Sequence, residues 1–333
     1  MIIYGSPDND VDLFAYGIDT VITGNTKLVP ELKAKGYRVY LACGAYGVKK
    51  DDTAHQARDI NGDPQLWFNS GCPNNEDIIK TSLERVDKLC ETPDVEGLII
   101  DGARFSSPCS GSRLSYFTCF CDTCRKKAES MGYDFEKMHR GAKSLYENAD
   151  VDWDAVRHWL SFRESCVTEY LTEFSRIVRS HGIKSGAFIF SPSIAPMVGQ
   201  SYDALPKILD IISPMVYRAY KQNDGPACLN HELAAAAAEC KFTDEPVRYL
   251  SEKLGIDLSM CKTSEDILSG LPVSTAVDEC VKAKALCGDT TMIPIIDLND
   301  EHVRECAEKI YEKGIDEVAL FVYNKEYMKY LRN

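Results

Sequence analysis

The chain has 333 residues, of which 44% are hydrophobic and 27% are charged, and its formal net charge at pH 7 is −13. A nucleic-acid or anionic-membrane partner would require clustered Lys and Arg side chains, so this acidic balance argues against both and suits a neutral or cationic substrate better. No stretch approaches the roughly 20 continuous apolar residues of a membrane-spanning helix.

The sequence opens on residues 1–5, an apolar run that predicts a first β-strand. This segment lacks the basic start, long apolar run and small-residue cleavage site of a signal peptide. Without such a signal, the 14 cysteines are expected to remain thiols or to bind a metal rather than to form disulfides. These features predict a cytoplasmic protein.

Eight short segments rich in Ile, Val, Phe and Tyr recur along the chain. Each is continuously apolar, which is typical of parallel strands that are covered on both faces. The predicted strands are residues 2–5, 20–24, 37–43, 97–101, 186–190, 211–217, 292–297 and 317–323.

Amphipathic helices are predicted between these segments. One begins near Asn75, a long one ends before Gly182, and a third begins near Asp300 and ends before Gly314. Alternation of strands and helices eight times over predicts one α/β domain, a (β/α)₈ TIM barrel over residues 1–333. An open, doubly wound sheet is the main alternative, but the sequence has neither a GxGxxG nor a Walker motif.

Two connections are too long for simple loops. They run from about 102 to 153, after the fourth strand, and from about 218 to 291, after the sixth. In a barrel, long connections that follow strands lie on the C-terminal face, where the chemistry takes place. We therefore expect long insertions after strands 4 and 6, with a zinc-knuckle insertion at about 102–152.

Three thiols lie within residues 119–124 in the spacing CxCxxC. Such a set can converge on one tetrahedral ion, with the last cysteine on the first turn of a helix. The fourth ligand must come from elsewhere: Cys72 is the first choice, Cys109 the second, and Asp122 or a water a weaker alternative. Four sulfurs are typical of a structural site, whereas an open position would indicate a catalytic metal.

Three segments carry a family likeness: CPN at 72–74, GLIIDGARF at 97–105 and CFCDTCR at 119–125. Together they resemble the barrel halves of family 42 β-galactosidases and of uncharacterised hypothetical glycosyl hydrolases. The resemblance is close over residues 69–133, and in the remainder it is limited to the alternation of strands and helices that a barrel shows. In the galactosidases four cysteines bind zinc, which implies a structural Zn²⁺ site at Cys72, Cys119, Cys121 and Cys124.

One departure from this pattern concerns catalysis. Family 42 enzymes have an Asn-Glu pair after the Ile-Asp of the fourth strand, and that Glu is their acid/base. Gly102 and Ala103 stand there in this sequence, so that acid is absent from its expected place. The Ile-Asp-Gly form instead resembles the fourth strand of α-fucosidase-type barrels, which implies that Asp101 is a nucleophile.

Glycoside cleavage needs two carboxyl groups, one to protonate the leaving oxygen and one to attack the anomeric carbon or activate water. Two predicted strands end in a carboxylate, Asp101 on the fourth and Asp297 on the seventh. Because barrel catalysts lie at the C-terminal ends of strands, both are candidate catalytic residues. The alternative for each is that it caps the turn or helix that follows.

Residues near these strand ends are candidate substrate contacts. Arg104 follows Asp101 closely enough to keep it ionised or to bind a sugar hydroxyl, unless it forms an ordinary surface ion pair. Aromatic side chains can stack on a sugar ring, although they pack equally well in a core. The other candidates are Trp67, Asn69, Tyr217 and Arg218.

The sequence thus predicts a retaining glycosidase-like hydrolase whose partner is a carbohydrate. Since the expected Glu is missing, a barrel that binds sugar without cleaving it is the first alternative. The second is a zinc-thiolate enzyme, such as a methyltransferase acting on a thiol, which needs an exchangeable position on the metal. No nucleic-acid or membrane partner is predicted, and a homo-oligomer is compatible with the sequence.

Overall fold

The computed structural model describes residues 1–221 and 227–332, and it confirms the predicted barrel. Eight parallel strands each pair with the next, and the eighth pairs with the first, so the sheet is closed. The strands are β1 (Ile2–Tyr4), β2 (Thr20–Thr23), β3 (Arg38–Gly44), β4 (Gly97–Asp101), β5 (Lys184–Phe190), β6 (Ile211–Met215), β7 (Ile295–Asp297) and β8 (Ala319–Phe321).

The seventh segment differs from the single strand predicted over 292–297. A two-residue strand, Thr291–Met292, pairs with the start of β6, and β7 itself pairs with β6 only between Ile295 and Met215. Pro294 lies between the two pieces and has no N–H group to donate to a strand ladder. The barrel is therefore joined by few backbone bonds at this seam.

α-Helices follow five of the eight strands in the described chain. The connection after β4 holds four of them and so does the connection after β6, at the positions where the sequence predicts long insertions. After β1, β5 and β8 the chain forms only short 3₁₀ helices, so the predicted strand–helix alternation is incomplete. The α-helices are α1 (Val29–Ala34), α2 (Glu76–Cys90), α3 (Arg113–Tyr116), α4 (Asp122–Ser130), α5 (Phe135–Glu147), α6 (Trp153–Ser180), α7 (Leu229–Glu239), α8 (Pro246–Leu254), α9 (Ser264–Ser269), α10 (Val273–Cys287) and α11 (Val303–Glu312).

Helix ends follow the capping signals in the sequence. The side chain of Asn75 accepts a hydrogen bond from the Ile78 amide at 3.1 Å and starts α2 where it was predicted. α11 begins at Val303, a little later than predicted, because residues 297–300 form a turn of their own. Within residues 1–221 and 227–332, no helix is both long and apolar enough to cross a membrane.

The insertion after β4 packs through a close contact between α5 and α6. Gly141 lies on α5, and a Cβ atom there would be 2.3 Å from the carbonyl carbon of Ala155 on α6. The two helix backbones can approach this closely only because residue 141 has no side chain. A glycine within a helix normally costs stability, so its presence here reflects packing.

We predict that Gly141→Ala lowers the free energy of unfolding by about 1–3 kcal/mol. Alanine is the better helix former by about 1 kcal/mol, but the new methyl group must push the two helices apart. Urea unfolding at constant pH measures the change, and Lys143→Ala on the exposed face of the same helix is the control. A Gly141→Ala protein as stable as Lys143→Ala would contradict this account of the contact.

Candidate functional site

A cavity with a volume of about 440 Å³ opens at the C-terminal rim of the barrel. Because the strands are parallel, their C-terminal ends meet at this rim. Seven of the eight strands each contribute a residue to the lining, and the connections contribute the rest. The strand residues are Tyr4, Gly44, Asp101, Phe188, Met215, Ile295 and Phe321.

Part of the lining is a continuous row of aromatic rings. Tyr4 stacks on Phe321 with ring centroids 5.6 Å apart, and Phe321 stacks on Tyr217 at 5.0 Å. The ring of Phe188 meets Tyr4 edge-on at 5.6 Å, and Tyr220 extends the row beyond Tyr217. Rings in this arrangement hold one another in place and offer flat apolar faces with polar hydroxyls at their edges.

Asp101 is the last residue of β4 and its side chain lines the cavity. The carbonyl oxygen of Asp101 accepts a hydrogen bond from the Ala45 amide at 2.8 Å, which fixes the strand end. Burial raises the pKa of the Asp101 carboxyl above its ordinary value, and the Arg104 cation and the Gly102 amide oppose this only in part. Among the described residues of the lining, Asp101 is the one carboxylate.

Arg104 and Trp67 also line the cavity. The Arg104 guanidinium lies between the rings of Trp67 and Phe190, 4.5 and 4.8 Å from their centroids. Its Nη1 donates to the carbonyl of Phe105 at 2.9 Å and to the hydroxyl of Ser110 at 3.3 Å. Arg104 is therefore held in a buried cage rather than in the surface ion pair considered as its alternative.

The charges of both candidate carboxylates, Asp101 and Asp297, act on Tyr217. Burial is the main cause that raises its pKa, and Cys228, Asp101 and Asp297 add to the effect. Tyr217 lines the cavity and belongs to the aromatic row, so its ring contributes to the lining as well as to the core.

Asp297 ends β7 but does not belong to the cavity lining. Its Oδ1 accepts a hydrogen bond from the Asn299 amide at 2.9 Å, the turn-capping contact that was the alternative to catalysis. Its Oδ2 is buried without a hydrogen-bond partner in the described part of the chain. Burial, helped by the Asp300 carboxylate, raises the pKa of Asp297 to about 6.

Two predicted substrate contacts are not among the residues that line the cavity. Arg218 forms a buried ion pair with Asp300 at 2.6 Å and donates to the carbonyl of Leu271, also at 2.6 Å. Asn69 is exposed at the surface, and its carbonyl accepts a hydrogen bond from the Val48 amide at 2.7 Å. Both residues hold connections together in this structure.

The sequence reasoning missed several aromatic lining residues. Tyr4 and Phe321 lie near the ends of predicted strands, so the rule that selected Asp101 would also have found them. Phe188 lies within β5, where only the strand's register decides whether it faces the cavity. Phe68 is 51% exposed at the mouth with a left-handed backbone (φ 49°), and no sequence pattern indicates that position.

Four cysteines outside the cavity form a compact cluster. Cys72 precedes α2, Cys119 and Cys121 precede α4, and Cys124 lies in the first turn of α4. The Sγ atom of Cys72 is 3.6 Å from those of Cys119 and Cys121 and 3.5 Å from that of Cys124. Sulfurs that surround one ion at about 2.3 Å in a tetrahedron are about 3.8 Å apart. The four side chains therefore fit a single metal ion, and all four sulfurs lie within 4.8 Å of one another.

The surroundings of the cluster suit thiolate ligands. The Arg58 amide donates to Cys119 Sγ at 3.3 Å, Asn74 Nδ2 to Cys124 Sγ at 3.3 Å, and the Cys124 amide to Cys121 Sγ at 3.4 Å. Donors of this kind orient metal ligands and disperse their negative charge.

The fourth member of the cluster is Cys72, the first choice from the sequence. Cys109, the second choice, lies elsewhere: its backbone amide donates to Glu232 Oε2 at 3.1 Å, in the network that joins the connections after β4 and β6.

Comparison with known proteins identifies the architecture. The sequence matches no protein-family model and no curated protein sequence. Its structure resembles the PgaB (BpsB) glycoside hydrolase domain from Bordetella bronchiseptica, with a TM-score of 0.60 and 12% identity over 98% of this chain and 94% of that one. It also resembles a β-galactosidase from the psychrophilic Marinomonas ef1, with a TM-score of 0.59 and 12% identity over 93% of this chain.

This chain spans 50% of the length of that β-galactosidase chain. At such low sequence identity, the likeness establishes the barrel fold alone.

We predict that Asp297→Asn stabilises the protein at pH 8 and has little effect at pH 4. A carboxyl whose pKa rises from about 3.9 in the unfolded chain to about 6 in the folded one binds its proton more tightly when folded. The contribution of the Asp297 carboxyl to the free energy of unfolding therefore falls as the pH rises between these two values. Asparagine does not ionise, so the variant does not lose this stability. The expected gain at pH 8 is about 1–3 kcal/mol.

Urea unfolding of both proteins at pH 4, 6 and 8 measures this difference. Asp316→Asn, the same substitution at an exposed position, is the matched control. A flat difference between Asp297→Asn and the wild type across the three pH values would count against a buried, protonatable Asp297.

Proposed function

We propose that this barrel acts on a carbohydrate and hydrolyses a glycosidic bond in the cavity at its C-terminal rim. The observation that carries the proposal is the carboxyl group of Asp101, which ends β4 inside a cavity lined by aromatic rings. Carbohydrate sites combine flat apolar surfaces with a few well-placed polar groups, and this cavity has both.

The two similar solved structures support the proposal that the barrel acts on a carbohydrate. One of them is described as a glycoside hydrolase domain and the other as a β-galactosidase. A shared fold does not fix the reaction, so the argument for hydrolysis depends on the residues of this chain.

The environment of Asp101 suggests its role in the reaction. The family resemblance implies a nucleophile, which must be ionised. Because burial raises the pKa of Asp101, the protonated form persists to higher pH, and this favours a proton donor to the leaving oxygen. Asp297 remains the second candidate carboxylate of the proposal, and Tyr217 lies close enough to feel the charge of both.

The second candidate function is sugar binding without cleavage, and one observation favours it. Glycoside hydrolysis ordinarily uses two carboxyl groups at about 5–9.5 Å from each other, whereas Asp101 is the one carboxylate in the described part of the lining. A barrel that binds sugar without cleaving it would need no second acid. Asp224 follows β6 but lies outside the described residues.

For the metal site, we propose a structural Zn²⁺ ion held by Cys72, Cys119, Cys121 and Cys124. Zinc in sites of four thiolates stabilises the fold and has no free position for a substrate. Four sulfurs converge here, which argues against the methyltransferase-type alternative, since that chemistry needs an exchangeable ligand. The proposed role of the ion is to hold the connection after β4 against the start of α2.

We predict that Asp101→Asn lowers kcat/KM for a hydrolysed glycoside by about 10²–10⁴-fold, the usual contribution of a general acid. Asparagine keeps the shape of the side chain, so sugar binding measured by calorimetry is expected to persist. Hydrolysis of a panel of nitrophenyl glycosides and natural oligosaccharides provides the assay.

The exposed Asp203→Asn serves as the matched control. Asp297→Asn in the same assay tests whether the second carboxylate is needed. If Asp101→Asn keeps full activity, Asp101 is not the catalytic group. If the wild type binds sugars but cleaves none of the panel, the second function is selected.

We predict that the purified chain holds about one zinc ion, with four sulfur ligands at about 2.3 Å in X-ray absorption. Cys119→Ser is expected to weaken zinc binding by at least about 100-fold and to lower the unfolding temperature. Cys261→Ser, at a cysteine outside the cluster, is expected to do neither. Three sulfurs and an exchangeable light ligand would instead favour the methyltransferase-type alternative.

A further inference from the structure

Arg163 is an unusual buried cation. It lies in α6, its side chain is fully buried, and it forms no ion pair with any described residue. Moving an uncompensated charge out of water costs several kcal/mol. A fully buried guanidinium therefore requires compensation from its surroundings.

Neutral groups supply part of this compensation. Nε and Nη2 donate to the carbonyl of Thr118 at 3.1 and 2.7 Å, and Nη1 donates to the carbonyl of Met197 at 2.8 Å. Nη2 also donates to the carbonyl of Tyr116. The guanidinium lies 4.1 Å from the centroid of the Trp159 ring. Carbonyl dipoles and ring faces favour a cation, but none of them carries a full negative charge.

The cysteine cluster adjoins this hydrogen-bond network and would carry a full negative charge when it holds a metal. Thr118, which accepts two bonds from Arg163, directly precedes Cys119 in the chain. A divalent ion bound by four thiolates has a net charge of −2, since each deprotonated ligand contributes −1. Burial lowers the pKa of Arg163 to about 10, and Tyr116, Cys119 and Cys124 act in the opposite direction.

Two other cations near the cluster already have carboxylate partners. Arg125 pairs with Glu136 at 2.7 Å, and Lys127 pairs with Glu169 at 2.8 Å. Both pairs lie at the surface, where water screens them. Arg163, by contrast, is fully buried and has no carboxylate partner among the described residues.

We propose that Arg163 is the buried counter-charge of the metal-loaded cysteine cluster and a positioning residue that links the cluster to the barrel rim. This inference rests on the proposed metal site and is independent of the proposed hydrolase activity. The link to the rim passes through two contacts: Arg163 holds the carbonyl of Met197 after β5, and its guanidinium lies 5.0 Å from the ring of Phe105, which follows the cavity residue Arg104.

Metal binding and the charge of Arg163 are then coupled. With the metal bound, the cluster's negative charge stabilises the guanidinium. With the metal removed and the thiols protonated, the same guanidinium is buried without a counter-charge. Arg163 and the metal are thermodynamically linked. Any free energy that Arg163 adds to metal binding must equal the extra stability that Arg163 gives to the metal-loaded protein over the metal-free one.

The test compares Arg163→Gln, which removes the charge, with Arg163→Lys, which keeps it. Competition with a chromophoric chelator measures zinc affinity in the full-length chain. We expect Arg163→Gln to weaken affinity by about 10–100-fold, the range typical of groups that support metal ligands. Arg163→Lys is expected to lose much less, and Arg125→Gln, beside the cluster but already paired, serves as the control.

Unfolding of metal-free and metal-loaded proteins measures the other two sides of the same thermodynamic cycle and checks the coupling by a second method. A counter-charge role predicts that Arg163→Gln destabilises the loaded protein more than the metal-free one. A purely structural role predicts equal losses in both. Equal losses, or an Arg163→Lys protein as impaired in affinity as Arg163→Gln, would overturn the proposal.

These outcomes separate the inference from its premise. A wild-type chain that binds no metal would overturn the metal site and this inference together. A wild-type chain that binds zinc tightly, with Arg163→Gln folded and equally tight, would overturn the role of Arg163 alone.

Discussion

The pairing of β8 with β1 closes the sheet, and the rest of the molecule depends on this closure. Ile2 and Ile3, at the start of the chain, pair with Ala319 and Leu320 near its end. Because the strands are parallel and the sheet is closed, every C-terminal strand end lies on one rim. The rings of Tyr4 and Phe321 stack at 5.6 Å for this reason, although they come from opposite ends of the sequence.

Closure also sets the chemistry of the rim. Burial of Asp101 at this rim raises the pKa of its carboxyl, and the Arg104 cation opposes that rise only in part. An acid at the same sequence position on an open loop would keep its ordinary pKa. The barrel therefore supplies both the place and the protonation behaviour of the group on which the proposed hydrolysis depends.

The cysteine cluster lies where the connection after β4 meets the start of α2. It joins residues that precede α2 to residues that precede α4, across 47 positions between Cys72 and Cys119. Beside it, Arg163 connects α6 to the backbone of residues 116–118 and to Met197 after β5. These contacts place the connection after β4, which carries Arg104 and Phe105, against the barrel. The cluster and the cavity are thus parts of one arrangement, although they share no residue.

The sequence by itself determined the barrel and the cysteine cluster. Continuously apolar segments alternating with amphipathic ones leave few architectures open, and CxCxxC spacing brings three thiols together through local geometry alone. Cys72 was the first choice for the fourth ligand, ahead of Cys109, and the likeness of residues 69–133 to zinc-binding barrels implied the same residue. Asp101, Arg104 and Tyr217 were predicted at the cavity because strand ends in a parallel barrel converge, and Trp67 because it lies in the connection after the third strand.

Only the tertiary structure decided which strand-end side chains turn toward the cavity. Asp297 and Arg218 follow the same sequence rule as Asp101, yet one caps a turn and the other pairs with Asp300. Phe188 lines the cavity because of the register of β5, and Phe68 because of its left-handed backbone. Arg163 is buried because α6 packs against the rest of the fold. Side-chain direction, burial and charge partners all arise from contacts between segments far apart in the chain, and no local pattern contains them.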